Sequence, residues 1–443
     1  ESFPGGDEPD STTPAQPPGP VPPPSTPTPT GPIQKEPTTG GMRTVIFERP
    51  PPLPSYLVAI AAGPFDSQPI KGMSVPGRVV TVKGASKLAA EAARLAPPLL
   101  AALEKYFGRP YPYAKLDLLA VPEFAAGAME NAGAITFRDE ILLVDPATVT
   151  LRQRQRLAAI IAHEMAHMWF GDLVTMAWWD DLWLNESFAS WMGDKVTDQV
   201  FPQYNMSVRE LTGTQQAMVT DARLSTRAVR QSVDAFGNID RLFDELSYQK
   251  GQAVLGMLES WLTPDVFRKG ITAYVKEHEW QSATAADLWK ALSAAAGRDI
   301  SPATNSFLDQ GGVPLVSAEV QPGGSVRLTQ RRFLNYGVTA PIPAAWKIPV
   351  MLRYSDGKQT YTQSVLLSEA EQTVQLEKTT APVWVHPNAG ERGYYRWQMS
   401  LESLDALEAA GPKALDARER VGFLNNAAAL LDDPEVRKAY LGE

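Results

Sequence analysis

The chain has 443 residues, 44% of them hydrophobic, a formal net charge of −9 and no cysteine. Disulfides and thiolate chemistry are therefore excluded, and a bound metal would have to be held by His, Asp or Glu. The negative charge disfavours nucleic acid and anionic membrane as partners, and no apolar run reaches the ~18 residues of a membrane span.

In chain order, residues 1–40 contain "STTPAQPPGPVPPPSTPTPTGP", a Pro/Thr-rich composition that predicts an extended, flexible segment. From Thr44, "TVIFE" and "SYLVAIAAGPF" read as strands, being β-branched and aromatic between Pro and Gly. The apolar spacing of "SKLAAEAARLAPPLLAALEKYFG" predicts two helices, broken at Pro97 and Pro98. "AKLDLLAVPEF" predicts a strand, "AAGAMENAGA" a turn, and residues 150–300 a mainly helical region. Beyond Gly311–Pro314, short segments from "LVSAEV" to "VWVHP" predict a small all-β domain, a sandwich. From Ser400 the helical pattern returns and runs to Glu443. The chain opens at Glu1 without methionine or signal peptide, which reads as a processed, trimmed or partial chain. Its composition assigns neither compartment nor oligomeric state.

Only four histidines occur, and two fall in "IIAHEMAHMWFGD". Residues i and i+4 share one face of a helix, so His163 and His167 can ligate one ion together, with Glu164 beside them. The carrier helix is expected to end at Gly171 in a left-handed cap. "DLWLNESFASW" reads as a second helix capped by Asn185, and a helix–turn–helix path would return Glu186 to the first helix as third ligand. Two histidines and a glutamate, with an open fourth position, is the donor set of a hydrolytic zinc site. Asp180 and Asp181 are candidate acceptors for the outer nitrogens of the two histidines. His278 and His386 read as structural.

The sequence resembles the aminopeptidase N family of zinc metallopeptidases, which includes leukotriene hydrolase. "GAMEN" at Gly127–Asn131 is similar to that family's exopeptidase motif. "HEMAHMWFGDLVTMAWWDDLWLNESFASW" resembles its HExxH-x18-E block, "LSYQKGQAVLGML" the block of its catalytic tyrosine, and "SFLDQGGVPLV" and "GYYRW" the edges of its β-domain. The likeness runs from about Thr44 to the C-terminus.

The resemblance implies a multidomain α+β protein. Its centre would be a thermolysin-like, mainly helical zinc catalytic domain (67–312). The last strands of an N-terminal β-domain (41–66) would precede it, and a β-sandwich (313–398) and the start of a helical domain (399–443) would follow. It implies one zinc ion on His163, His167 and Glu186, Glu164 as general base and then acid, and Tyr248 as donor to the oxyanion. Glu130 would pair with the substrate's α-ammonium, with Gly127, Ala128, Met129 and Asn131 along the substrate strand. The expected activity is removal of the N-terminal residue from peptides with a free amine. A catalytically impaired relative that binds peptides or a protein partner is one alternative, and a thermolysin-like endopeptidase another.

Overall fold

The computed structural model describes residues 33–35, 38–39, 42–233, 236–335, 338 and 345–431. The expectations for residues 1–32 and 432–443 lie outside them. The first strands are short: β1 (Ile33–Lys35), β2 (Thr38–Thr39), β3 (Met42–Arg43) and β4 (Ile46–Phe47), paired antiparallel as β1–β4 and β2–β3. "TVIFE" is thus a strand only at Ile46–Phe47. "SYLVAIAAGPF" is not one strand: a 3₁₀ turn occupies Ser55–Leu57, a single bridge falls at Gly63, and the next strand, β5 (Phe65–Pro69), begins only at the last residue of the segment. Pro50, Pro51, Pro52 and Pro54 remove the ladder donors just upstream, and Leu57 is drawn fully into the core.

A mixed five-stranded sheet follows in the order β5, β6 (Arg78–Val82), β7 (Asp117–Val121), β9 (Ala134–Arg138), β8 (Ala128–Met129). β7 is parallel to β6 and β9, and β8 lies antiparallel outside β9. "AAGAMENAGA", expected as a turn, therefore contains an edge strand. Between β6 and β7, α1 (Ala90–Phe107) runs unbroken through Pro97 and Pro98. Each proline costs roughly 3 kcal/mol inside a helix. Leu95, Leu99, Leu100 and Leu103 on the same helix are all buried, at about 1.5–3 kcal/mol each, and that sum outweighs the breaks.

The helical region comprises α2 (Asp139–Leu142), α3 (Leu151–His167), α4 (Leu182–Val200), α5 (Met206–Asp221), α6 (Gly251–Leu262), α7 (Pro264–Glu277), α8 (Ala285–Ala296) and α9 (Ser301–Leu308). Within it, β10 (Val174–Met176) pairs in parallel with β11 (Gln281–Ala283). A capping box of Thr150 with Gln153 starts α3. α3 packs against α4, and Gly193 sets the separation: a Cβ there would lie 2.9 Å from the His163 amide nitrogen.

Seven strands follow: β12 (Pro314–Gln321), β13 (Ser325–Arg332), β14 (Ile348–Ser355), β15 (Thr360–Leu367), β16 (Glu371–Gln375), β17 (Trp384–His386) and β18 (Arg396–Met399). They form two sheets, β16–β13–β12–β18 and β15–β14–β17. Helices α10 (Leu401–Ala409) and α11 (Ala417–Leu430) come last. One apolar core runs from α1 through the helical region into both of these sheets, giving a mixed α/β molecule with its helices and sheets largely segregated along the chain. Among the described residues no helix is long and apolar enough to cross a membrane.

Candidate active site

His163 and His167 project from the last turn of α3, and Glu186 from the first turns of α4. His163 Nε2 and His167 Nε2 lie 3.0 Å apart, and Glu186 Oε2 lies 3.3 Å from the first and 3.5 Å from the second. Donor atoms at ~2.0–2.1 Å from a tetrahedral zinc would be about 3.3–3.4 Å from one another. The three donors thus fit such an ion, and the set keeps a fourth position. A second cluster, Glu130 with Glu164 and His167, adjoins it.

Two local expectations need correcting. α3 ends at His167, not at Gly171; the backbone then turns, and the Asp172 amide donates to the His167 carbonyl at 3.0 Å. Gly171 has φ +130°, and a Cβ on it would meet His167 Nδ1 at 3.2 Å and Asn185 Nδ2 at 3.3 Å. Asn185 is not a cap either. α4 begins at Leu182, which leaves Asn185 buried in the helix and donating to the Tyr56 hydroxyl at 3.3 Å.

The outer nitrogens of the histidines are held by groups other than the expected aspartates. His167 Nδ1 meets the Phe170 carbonyl at 3.0 Å, which makes it the protonated nitrogen and leaves Nε2 to face the centre. His163 Nδ1 lies 3.2 Å from Ser190 Oγ. Asp181 instead accepts from Trp183 Nε1 and the Ala285 amide. Ser190 was legible in principle, because it follows Glu186 by one helical turn on the same face.

Glu164 is buried, and its Oε2 has no hydrogen-bond partner among the described residues. Burial pushes its carboxyl well above the ordinary value; His167 opposes this, while Glu130 and Glu186 add to it. Burial also raises Glu130. For Glu186, burial pulls upward, but His167 and His163 hold the carboxyl far below its usual range. Burial lowers His163; in His167 the neighbouring Glu130 and Glu186 overcome it and raise the ring. Three buried carboxyls thus crowd two imidazoles, a set of groups able to hold a metal ion.

The centre lies in a cavity of about 660 Å³. Gly127, Ala128, Met129 and Glu130 line it from the exposed edge of the five-stranded sheet, where β8 lies against α3. Asn131 is buried behind this edge; it donates to the Leu57 carbonyl at 3.1 Å and accepts from Thr136 Oγ1 at 2.7 Å. Across the cavity is Tyr248, its ring stacked on His163 with centroids 6.1 Å apart. Tyr248 belongs to a π-helical turn, Leu246–Lys250, that leads into α6. Burial and then Glu186 raise its phenol, so it stays a protonated donor. His278 lies against Tyr274 with the rings tilted at 45°, and the buried His386 faces Glu391 at 3.3 Å; neither belongs to the cluster.

A His-x-x-x-His pair on one helix, a glutamate between them and a carboxylate from the next helix define the class of HExxH metallohydrolases. Comparison with known sequences narrows this class. Residues 91–307 match the peptidase family M1 domain, and the chain carries that family's domain over this span. It is 34% identical over 417 residues to Aminopeptidase M1 of Arabidopsis thaliana, covering 90% of this chain and 46% of that protein. It is 34% identical to Aminopeptidase 2 of Candida albicans, with 91% and 43% covered, and 35% identical to Probable aminopeptidase 1 of Sulfurisphaera tokodaii, with 89% and 49% covered. The chain therefore spans less than half the length of these relatives.

Proposed function

We propose that the chain is a zinc-dependent aminopeptidase that removes the N-terminal residue from peptides, with a thermolysin-like catalytic unit at residues 67–312. Residues 41–66 would be the end of an N-terminal β-domain, 313–398 a β-sandwich and 399–443 the start of a helical domain. The observation that carries the reading is the buried carboxylate of Glu130. It stands beside the His163–His167–Glu186 donor set, at an open sheet edge on which an extended peptide can lie.

One zinc ion would be held by His163, His167 and Glu186; it would supply Lewis-acid polarisation of the scissile carbonyl and acidify the attacking water. Glu164 takes the proton of that water and returns it to the leaving amine. Its buried oxygen, without a hydrogen-bond partner among the described residues, suits a group that must accept and then give up a proton. Tyr248 donates its hydroxyl hydrogen to the oxyanion of the tetrahedral intermediate, a contact worth ~10²–10³ in rate. Glu130 receives the α-ammonium, a charge-assisted bond of roughly 1.5–3 kcal/mol. A blocked amine would leave that carboxylate buried and unpaired. Gly127 and Ala128 offer backbone groups to the peptide strand, while Met129 borders the cavity and Asn131 braces the loop against Leu57.

The test is a panel of aminoacyl chromogenic amides, free and N-acetylated, with zinc bound and after chelation. Zinc-dependent cleavage of free amines alone is expected. Equal rates on acetylated substrates would move the reading to an endopeptidase, and stoichiometric zinc without any turnover to a binding relative.

A further inference from the structure

Tyr248 sits in the π-helical turn Leu246–Lys250, a form that is rare and concentrated at functional sites. On its N-terminal side the turn is tied down by neighbouring side chains. Asp244 Oδ1 accepts from the amides of Leu246 and Ser247, Arg227 pairs with Asp244, and Ser187 Oγ donates to the Ser247 carbonyl at 2.5 Å. On its C-terminal side one residue carries the load. Lys250 is completely buried, and its ammonium meets Asp221 Oδ2 at 2.8 Å, with Asp221 also at 0% exposure. The lysine donates further to the Gln310 carbonyl at 3.2 Å.

Every acceptor position of Asp221 is used. Oδ1 accepts from Thr226 Oγ1 at 2.6 Å and from the Gly312 amide at 2.7 Å; Oδ2 accepts from Lys250 and from the Tyr394 hydroxyl at 3.1 Å. One carboxylate thus joins the end of α5, the π-turn, the entry to β12 and the segment before β18. A buried ion pair is weak evidence for stability, since its desolvation cost offsets much of its attraction. Burial does lower the lysine's basicity, against the pull of Asp221. Full satisfaction of the network makes it rigid, and rigidity is what a turn aiming a hydroxyl requires.

We propose that Lys250 and Asp221 are positioning residues that fix the π-turn and so aim Tyr248 at the reacting carbonyl, and that Tyr394 ties this device to the β-sheets. The proposal rests on the oxyanion role read for Tyr248 above. It makes the β-sheet region part of the catalytic geometry, not merely a packed neighbour.

The experiment is a double-mutant cycle. Lys250→Met, Tyr394→Phe and Tyr248→Phe are made singly, and the first two also in the Tyr248→Phe background. For each, kcat, KM and zinc content are measured on an aminoacyl p-nitroanilide. Misaiming a donor by about 1 Å costs up to ~10²-fold. Lys250→Met should therefore lower kcat by at least roughly tenfold with KM and zinc content unchanged, and add less than about twofold once Tyr248 is Phe. Tyr394→Phe, which removes only one hydroxyl, should show the same pattern with a smaller drop, and it carries the test should Lys250→Met not fold. The dissociation constant of a phosphinic pseudopeptide, a tetrahedral mimic, reads the same cycle without turnover. Equal losses in both backgrounds would reduce Lys250 to a structural role and overturn the proposal while leaving Tyr248's role intact. No loss from Tyr248→Phe itself would overturn that role, and the proposal with it.

Discussion

Glu164 and Glu130 are adjacent buried carboxylates for which we propose different tasks, and substitution would separate them. Glu164 is not among the donors around the candidate ion, so Glu164→Gln is expected to keep one zinc per chain and lose nearly all turnover, because only the proton acceptor goes. Bound zinc by atomic absorption and kcat on one substrate check this; turnover near the wild-type level would mean the base had been assigned to the wrong residue. Glu130→Ala should raise KM for free-amine substrates, lower kcat, and narrow the gap between a free and an acetylated peptide. The missing ammonium contact accounts for the KM, and the looser alignment of the scissile amide for the kcat. Comparing kcat/KM for that peptide pair on wild type and variant decides it, and an undiminished gap would remove Glu130 from amine recognition. The hydrogen bond between His163 Nδ1 and Ser190 Oγ belongs at this scale too. Ser190→Ala is expected to weaken zinc binding ~10–100-fold, read by competition with a chelator, since the imidazole loses the partner that fixes its orientation.

At the scale of elements, the site exists because α3, α4 and α6 approach closely. Gly193 permits the first contact and Gly251 the second. A Cβ on Gly251 would stand 1.8 Å from Ser187 Oγ and 2.7 Å from Ser187 Cβ. Gly251→Ala should therefore push α6 from α4 and cost about 1–3 kcal/mol of stability, the usual range for overpacking. Ser187→Ala in the same chain should restore part of that loss by removing the oxygen in conflict. Denaturant midpoints of the two single variants and the double variant give the coupling; strictly additive changes would show that the two residues do not compete for the same space. Glycine at 251 and serine at 187 thus form one unit, and Tyr248 is three residues from the joint.

For the molecule as a whole, the donors proposed for the ion come from two helices that already share an extensive apolar core. Chelation is accordingly expected to abolish activity without unfolding the chain, unlike a small zinc domain whose fold depends on its metal. Restoring zinc at about a thousandfold over its dissociation constant should then stabilise the fold by roughly 4 kcal/mol. Circular dichroism of the chelated protein with a zinc titration of its melting point tests this, and loss of the helical signal on chelation would contradict it. The C-terminal part of the chain is bound to the helical region by polar contacts as well as by the core: Arg392, in the loop before β18, and Arg418 on α11 both reach Glu210 on α5, and Arg396 on β18 reaches Gln215.

The amino-acid order alone determined the donor set at 163, 167 and 186, the adjacent Glu164, the GAMEN segment and the division into helical and all-β stretches. The histidine pair with Glu164 depends on one helical turn and the two stretches on periodicity and composition; Glu186 follows from an expected helix–turn–helix path, and the GAMEN segment is marked by the family resemblance. Tertiary structure decided what local spacing cannot express. Two prolines were carried inside α1 because buried leucines around them outweighed the lost hydrogen bonds. Asp181 was drawn to Trp183 and Ala285, and the two histidines were left to Ser190 and the Phe170 carbonyl, since only the packed helices fix which group lies within hydrogen-bond reach. The buried pair of Lys250 with Asp221 joins residues far apart in the chain, and its meaning for Tyr248 emerges only when α5, the π-turn and the β-sheets meet around one carboxylate.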